Sequence, residues 1–545
     1  MLFYILLGFL LVVFILMAWR LGFGIYPKPY LGIPYNEESA NRITGDIPSL
    51  VPVIQAINEF SSSIFAITTQ KLGKPIAQML FPAIRKPLII LEYPREIEDI
   101  VLRRNKEFDK APMAIDAFAP MFPHASLSQF TTPKLKAQKR LWADVMSAEF
   151  LRKAAAPNIH KATLELLDLW RLKATVYKDR PFSVHEDFQN AALDAIWVAM
   201  IGEEPDVTRH EIKKLQSQVA GNSDYKNEPL PRGTFLKEEK LETYTPRYRK
   251  FRKTVTTEIG LAMEKAVSQF QRLEMGNLEA EEFDTCMMDL VLRRQVLEAK
   301  KAEQPLTNPR EDQSMLDEMF VMLVGGHDST ANALTWFVRF MEAYPATQAE
   351  LRTALKAAFP SGNPSVEEIL GTDIPYLDAA CEESFRLAGV AKGNLRQATV
   401  DTEILGCKIP KGAEVFMNYH VNHTPAPVDE SKRTAGSKAA AAKFGDGFQS
   451  NAGRDLGAFE PRRWLVKETT GQEVFNAHAL PSLSFGGGYR GCSGRKLASM
   501  EFRIVVSLLI LNLEFLELPE DFKTMSASEK IFRQPDKPYA RLRSL

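Results

Sequence analysis

The chain has 545 residues and a mass of 61.4 kDa, with 68 Lys and Arg set against 68 Asp and Glu. A net charge of zero lacks the basic excess that nucleic-acid binding needs, so no nucleic-acid partner is expected. Apolar residues make up 45%, an ordinary globular share, and the length exceeds the ~250–300 residues of a usual single core, which predicts either two or three cores or one large, subdivided domain.

The first 19 residues, MLFYILLGFLLVVFILMAW, carry no charge. At 1.5 Å per residue they can just cross a hydrocarbon core of ~30 Å. No basic residue precedes them and bulky Met17 and Trp19 close the run, unlike a cleaved signal peptide. A single transmembrane anchor is therefore expected over 1–19. Arg20 and Lys28 follow it, and the positive-inside rule puts the body on the cytosolic side. Residues 20–45 read as a Pro-rich linker, stiffened by Pro27, Pro29 and Pro34.

The body, 46–545, reads as mainly helical. Helical periodicity covers about 136–150, 157–174, 183–201, 250–300, 312–344 and 347–359. Strand-like pieces are few: 87–93, with short runs near 396–404 and 414–418. The stretch 312–344 starts after Pro309 and stops before Pro345, enough for a helix of ~50 Å. In its middle stands Val324-Gly-Gly-His-Asp-Ser-Thr330. Two central glycines cost about 1 kcal/mol each in helix propensity, so a local opening of the helix beside a ligand is expected. His327 reads as a substrate contact or a satisfied core histidine rather than a metal ligand. Farther on, Glu383-Ser-Phe-Arg386 places an acid and a base on one helix face. Residues 424–458, rich in Ala, Lys, Gly and Ser, read as a surface insertion or mobile loop. Phe459-Glu-Pro-Arg-Arg-Trp464 follows it.

Four cysteines, Cys286, Cys381, Cys407 and Cys492, form no CxxC pair, which excludes the common zinc and iron–sulfur spacings and a disulfide scaffold. Cys492 lies in Ser484-Phe-Gly-Gly-Gly-Tyr-Arg-Gly-Cys-Ser-Gly-Arg-Lys-Leu-Ala498, with five glycines between Gly486 and Gly494. Such a segment turns sharply and lets a large group approach the backbone. A helix starting at Arg495 adds amide donors and a cation, which stabilise a thiolate. A thiolate ringed by backbone N–H groups suits a strongly donating axial iron ligand.

At this point Phe485-x-x-Gly488-x-Arg490-x-Cys492-x-Gly494 resembles the haem-binding signature of the cytochrome P450 family at every position. The resemblance implies a mainly α fold with a small β-rich lobe. It implies haem b (iron protoporphyrin IX) whose metal is ligated by Cys492, with Phe485 and Arg490 beside it. The 324–330 segment resembles the family's oxygen-activation motif. By that match Asp328 and Ser329 are the catalytic acid–alcohol pair, with Ser329 where Thr is usual and Thr330 in the next place. Glu383, Arg386 and Arg463 match the family's buried structural network. Arg396 matches a propionate-binding arginine. The 134–142 helix resembles the W-x-x-x-R helix, with Leu135 in place of Trp, so Lys139 or Arg140 would meet a propionate. Phe118, Met121 and Phe122 within Ala111–Ser128, and Val390–Leu395, would contact substrate.

The implied function is a monooxygenase that inserts one atom of O2 into a lipophilic small molecule, in secondary metabolism by its similarity to filamentous-fungal members. The implied location is the endoplasmic reticulum membrane, single-pass, with the catalytic domain cytosolic. The one Gly-x-Gly-x-x-Gly spacing, Gly486–Gly491, falls inside the cysteine segment near the C-terminus rather than in a βαβ unit. No dinucleotide-binding domain is therefore expected, and the electrons would come from a separate NADPH–cytochrome P450 reductase, docking on a basic face that includes Lys139, Arg140, Arg495 and Lys496. Two alternatives are a haem-thiolate isomerase or dehydratase, which the retained acid–alcohol pair disfavours, and a non-enzymatic membrane haem-binding protein.

Overall fold

The computed structural model describes residues 24–221, 285–303, 311–445 and 454–545, with Val13 and parts of 252–271. Among the described residues no helix is long and apolar enough to cross a membrane. The expected anchor, 1–19, lies outside them except for Val13.

In chain order the framework comprises α1 (Ile47–Ile57), β1 (Ile76–Met79), β2 (Leu88–Leu91), α2 (Pro94–Leu102), β3 (Phe108–Lys110), α3 (Pro133–Leu141), α4 (Ala156–Tyr177) and α5 (His185–Ile201). It continues with α6 (Gln313–Ala343), α7 (Pro345–Ala358), α8 (Pro375–Ala388), β4 (Gly393–Ala398), β5 (Glu414–Asn418), α9 (Ala435–Phe444) and α10 (Arg495–Asn512). Of the helix expected over 250–300, Met287–Lys301 is helical, and much of the remainder lies outside the described residues.

The helical mass surrounds α6. Asp312 starts this helix by accepting the amides of Ser314 (2.9 Å) and Met315 (3.2 Å) on Oδ1, which satisfies donors that have no partner within the helix. Its 31 residues give a rod of about 46 Å. Trp170, Trp197 and Trp336 bury fully in the core that α6 shares with α4, α5 and α10. The expected opening at the glycines does not occur, since the segment stays α-helical throughout. Close packing explains Gly326 instead: a Cβ there would sit 2.9 Å from Ile196 Cγ1 on α5.

The smaller lobe is a five-stranded sheet in the order β1-β2-β5-β4-β3. β2 and β5 run parallel and the other pairs antiparallel. Both faces of Leu88–Leu91 are covered, as an unbroken apolar run requires. The β3–β4 register sets Lys110 opposite Arg396. The Pro-rich segment straps this sheet: Gln78 on β1 receives the Tyr30 amide on Oε1 (2.8 Å) and donates to the carbonyls of Tyr30 and Ile33.

Within 424–458 the described part is packed, not a loose loop. Ala-rich sequence is good helix former, and Thr434 caps α9 by accepting the Ser437 amide. Thr434 also binds Glu96 and Asp99 of α2. A Cβ on Gly436 would lie 1.9 Å from Asp99 Oδ1, so glycine permits the docking. The far end of α2 supports the cysteine loop described next.

Candidate haem site

The Cys492 segment turns twice through left-handed glycines, Gly486 (φ 63°) and Gly488 (φ 62°). A Cβ on Gly488 would lie 2.1 Å from the Val101 carbonyl oxygen, and one on Gly487 2.6 Å from Leu102. Glycine is therefore what allows the loop to lie flat on α2. Cys492 N donates to Phe485 O at 2.9 Å and closes the turn. Of the four cysteines, Cys492 alone is exposed. Protein still surrounds the rest of it, so burial pushes its thiol up, while the amides of Gly494 and Arg495 and the Arg495 charge pull it back down. Phe485 meets Phe385 of α8 edge-on, with ring centroids 5.0 Å apart, and Phe385 packs on Phe502 of α10.

Four cations converge near this loop. Arg490 binds Asp109 Oδ1 (3.1 Å) and the Gln129 carbonyl (2.9 Å). Arg396 is buried and donates to Asn394 Oδ1 at 2.9 Å. Lys139 donates to the Tyr489 carbonyl at 2.6 Å and lies over that ring. Lys110, which the sequence reading missed, completes the group. Burial lowers its pKa to about 7, helped by Arg490, Arg396 and Lys139 and opposed by Asp109. Burial and the same neighbours also lower Lys139, with Glu318 opposing. Arg140 is exposed and joins no ion pair among the described residues, so of the two candidates on α3 only Lys139 belongs to the cluster. Leu135 is fully buried apolar packing.

So many cations crowded together repel one another unless an anion joins them. A porphyrin with two carboxylates answers that need. Two buried hydroxyl oxygens beside the cluster also lack a hydrogen-bond partner among the described residues, Tyr489 OH near Lys139 and Tyr419 OH, which feels Arg396. The residues present therefore fit haem: Cys492 to hold iron, and Lys110, Lys139, Arg396 and Arg490 to hold the propionates.

One consequence concerns pH. In the cofactor-free protein Lys110 is mostly neutral above pH about 7. Two carboxylates favour its charged form, so haem binding takes up a proton, and haem affinity is expected to fall as pH rises through that range. Lys110→Met should weaken binding and flatten this slope, as read by haem titration of the apoprotein between about pH 6 and about pH 9.

On α6 the three motif residues diverge. Asp328 Oδ1 accepts from Gln189 Nε2 of α5 (3.1 Å) and Asn332 Nδ2 (3.3 Å). Ser329 Oγ donates to the Gly325 carbonyl at 2.6 Å. Thr330 faces another way, buried, with its hydroxyl 3.4 Å from Glu501 Oε2 on α10. Burial pushes Glu501 up to about 8, with the Thr330 hydroxyl pulling it back, so it is mostly neutral at pH 7. Thr330 therefore stands apart from the Asp328–Ser329 pair. His327 is buried and donates from Nδ1 to the Leu323 carbonyl at 2.7 Å.

Glu383 sits at the centre of a buried hydrogen-bond network. Glu383 accepts from Arg386 Nε (2.8 Å) and Nη2 (2.7 Å), Arg463 Nε (2.8 Å), Trp464 Nε1 (2.8 Å) and the Glu460 amide (3.0 Å). Burial alone would raise its pKa, but Arg386, Arg463 and the amide hold it below the usual carboxylate range. Trp464 and Glu460 are members that spacing did not reveal.

Comparison with known proteins agrees with this geometry. The family model described as "Cytochrome P450" matches residues 50–426 and 457–542. Cytochrome P450 monooxygenase TRI13 of Fusarium sporotrichioides is 28% identical, covering 98% of this chain and 97% of its own. Cytochrome P450 monooxygenase GME11363 of Pestalotiopsis microspora is 30% identical, covering 95% of each. The crystal structure of the cytochrome P450 CYP102L1 superposes with a TM-score of 0.65 at 17% identity, covering 95% of this chain and 100% of that one, which shows the shared fold. With the Cys492 loop, the cation cluster and the family match in agreement, the chain belongs to the cytochrome P450 family and binds haem b through a cysteine thiolate.

Proposed function

We propose that this protein is a haem-thiolate monooxygenase that inserts one atom of O2 into a lipophilic small molecule. The observation that carries the reading is Cys492, exposed on one side and facing amide donors on the other. Bound haem supplies the oxygen-activating redox chemistry. Cys492 as thiolate would be the residue that holds the iron, and the amides of Gly494 and Arg495 would steady its charge.

Proton handling falls to α6. Oδ1 of Asp328 is engaged by Gln189 and Asn332, and Oδ2 has no partner among the described residues, so the proton is held and passed on at Oδ2. The Ser329 proton is fixed on the Gly325 carbonyl, which leaves the Oγ lone pairs to accept from water or a pocket ligand. Thr330 is left out of this relay. Asp328→Asn should keep full haem content and slow NADPH-supported turnover by roughly a hundredfold. Haem absorbance and NADPH oxidation with reductase present measure the two effects, and undiminished turnover would remove Asp328 from the relay.

The electron source we propose is a separate NADPH–cytochrome P450 reductase. Supporting it are the exposed cations Arg140, Arg495 and Lys496, and the fact that the one Gly-x-Gly-x-x-Gly spacing, Gly486–Gly491, is taken up by the cysteine loop. We further propose a single-pass anchor in the endoplasmic reticulum membrane with the body cytosolic. The charge-free first 19 residues support this, as do the exposed apolar side chains Ile43, Val51, Ile57 and Phe60 where the chain enters the body. A role in secondary metabolism is supported by the fungal relatives.

A further inference from the structure

Two acids near the start of α6 serve no step above. Asp317 and Glu318 are both buried, and both reach across to the segment that ends the Ala111–Ser128 loop. Asp317 Oδ2 accepts the His124 amide at 2.8 Å. Glu318 Oε2 accepts the Ser126 amide at 2.7 Å, and Oε1 accepts the Ser126 hydroxyl at 2.6 Å. Gln138 of α3 donates to Glu318 Oε2 (3.1 Å) and to the His124 carbonyl (3.2 Å). Arg252 pairs with the remaining oxygen of Asp317. Hydrogen bonds to an ionised carboxylate are roughly twice as strong as neutral ones.

The same segment is held from its other side by the cofactor cations. Arg490 donates to the Gln129 carbonyl at 2.9 Å and the Ser126 carbonyl at 3.5 Å, and Asp109 accepts the Thr131 amide at 2.8 Å. Residues 124–131 thus form a strap between α6 and the propionate cluster. Just before the strap, Phe122 packs on Phe320 of α6 with centroids 4.9 Å apart, and Phe118 lies under Lys110. Glu318 is also within electrostatic reach of Lys139.

We propose that Asp317 and Glu318 are positioning residues of the substrate pocket, holding the strap on α6 and so setting the wall made by Phe118, Met121 and Phe122. This rests on reading that loop as the pocket wall of a haem-thiolate enzyme. Neither acid takes part in the chemistry. They act through the loop, so their loss changes how the pocket opens rather than how protons move.

The test is hydrogen–deuterium exchange with mass spectrometry on the full haem-loaded chain, for the wild type, Glu318→Gln and Ser126→Ala. Glutamine removes the charge and leaves one accepting oxygen for the Ser126 amide, so the Ser126 hydroxyl loses the carboxylate oxygen it donates to. Exchange over 118–128 should quicken roughly tenfold in Glu318→Gln and by a smaller factor in Ser126→Ala, with 383–388 and 461–464 unchanged. Phenylimidazole, an iron-coordinating probe, should leave the pocket faster in both variants. Should Glu318→Gln not fold, Ser126→Ala carries the test alone. Unchanged exchange in the loop would overturn the proposal, as would an increase spread evenly over the chain. A carbon monoxide spectrum without thiolate character defeats the haem-thiolate reading instead, and leaves the exchange result to judge the strap.

Discussion

Cys492→Ser is expected to abolish the thiolate-type spectrum of the reduced, carbon-monoxide-treated protein while leaving a folded chain. The turn around position 492 is closed by a backbone bond, Cys492 N to Phe485 O, which serine retains. A serine hydroxyl ionises far less readily than a thiol, so the amides of Gly494 and Arg495 would face a neutral oxygen with little donor power. No other cysteine can take over. Cys286 and Cys381 are buried and their thiols are pushed up by that burial, and Cys407 is engaged with the Gly32 carbonyl at 3.4 Å. Circular dichroism reads the fold and the spectrum reads the ligand. A thiolate-type spectrum surviving in Cys492→Ser would reject this residue as the iron donor.

Glu383→Ala should give the second large effect, loss of soluble, haem-loaded protein. The carboxylate is the shared acceptor of buried Arg386, Arg463 and Trp464 and of the half-buried Glu460 amide. Removing one partner of a buried ion pair costs about 3–5 kcal/mol, a large part of a total stability of ~5–15 kcal/mol. Here two buried guanidiniums would lose their common carboxylate, with Arg386 left on the carbonyls of Val421 and Leu456 and Arg463 on those of Asp455 and Ala458 and on Glu460. Glu383→Gln keeps an acceptor and should lose less. The pKa of Glu383 is lowered in the fold, so its contribution is complete above the unfolded carboxylate value of about 4.3 and is lost as pH falls through the lower folded value. Haem retention against pH, compared between wild type and Glu383→Gln, checks both statements. Equal haem retention in Glu383→Ala and wild type would contradict them.

Much of this was legible in the sequence, for physical reasons. Cys492 and its glycines are readable because a backbone lying on Val101 and Leu102 tolerates no side chain at Gly487 or Gly488. Glu383 and Arg386 are readable because i and i+3 meet on a helix. Lys110 was not readable. It reaches Arg396 only through antiparallel β3–β4 pairing between distant segments, and no local pattern encodes that register. Lys139 and Arg140 are neighbours that only the angular position on α3 separates. The same holds for Ser329 and Thr330, which the rotation of about 100° between adjacent residues of α6 points to different partners. The glycines of α6 suggest a local opening of the helix, whereas the helix stays closed and Gly326 makes room for Ile196. The Ala-rich 435–444 stretch reads as loop by composition but as helix by propensity, and its docking on Asp99 decides for helix.

The central claim is that iron in this protein is held by the Cys492 thiolate. The most direct measurement is the absorbance difference spectrum of the dithionite-reduced wild-type protein with and without carbon monoxide. The arrangement of Cys492, Gly494 and Arg495 predicts the strongly red-shifted Soret band of a thiolate-ligated haem. A histidine-type band in freshly prepared, fully folded protein would contradict it.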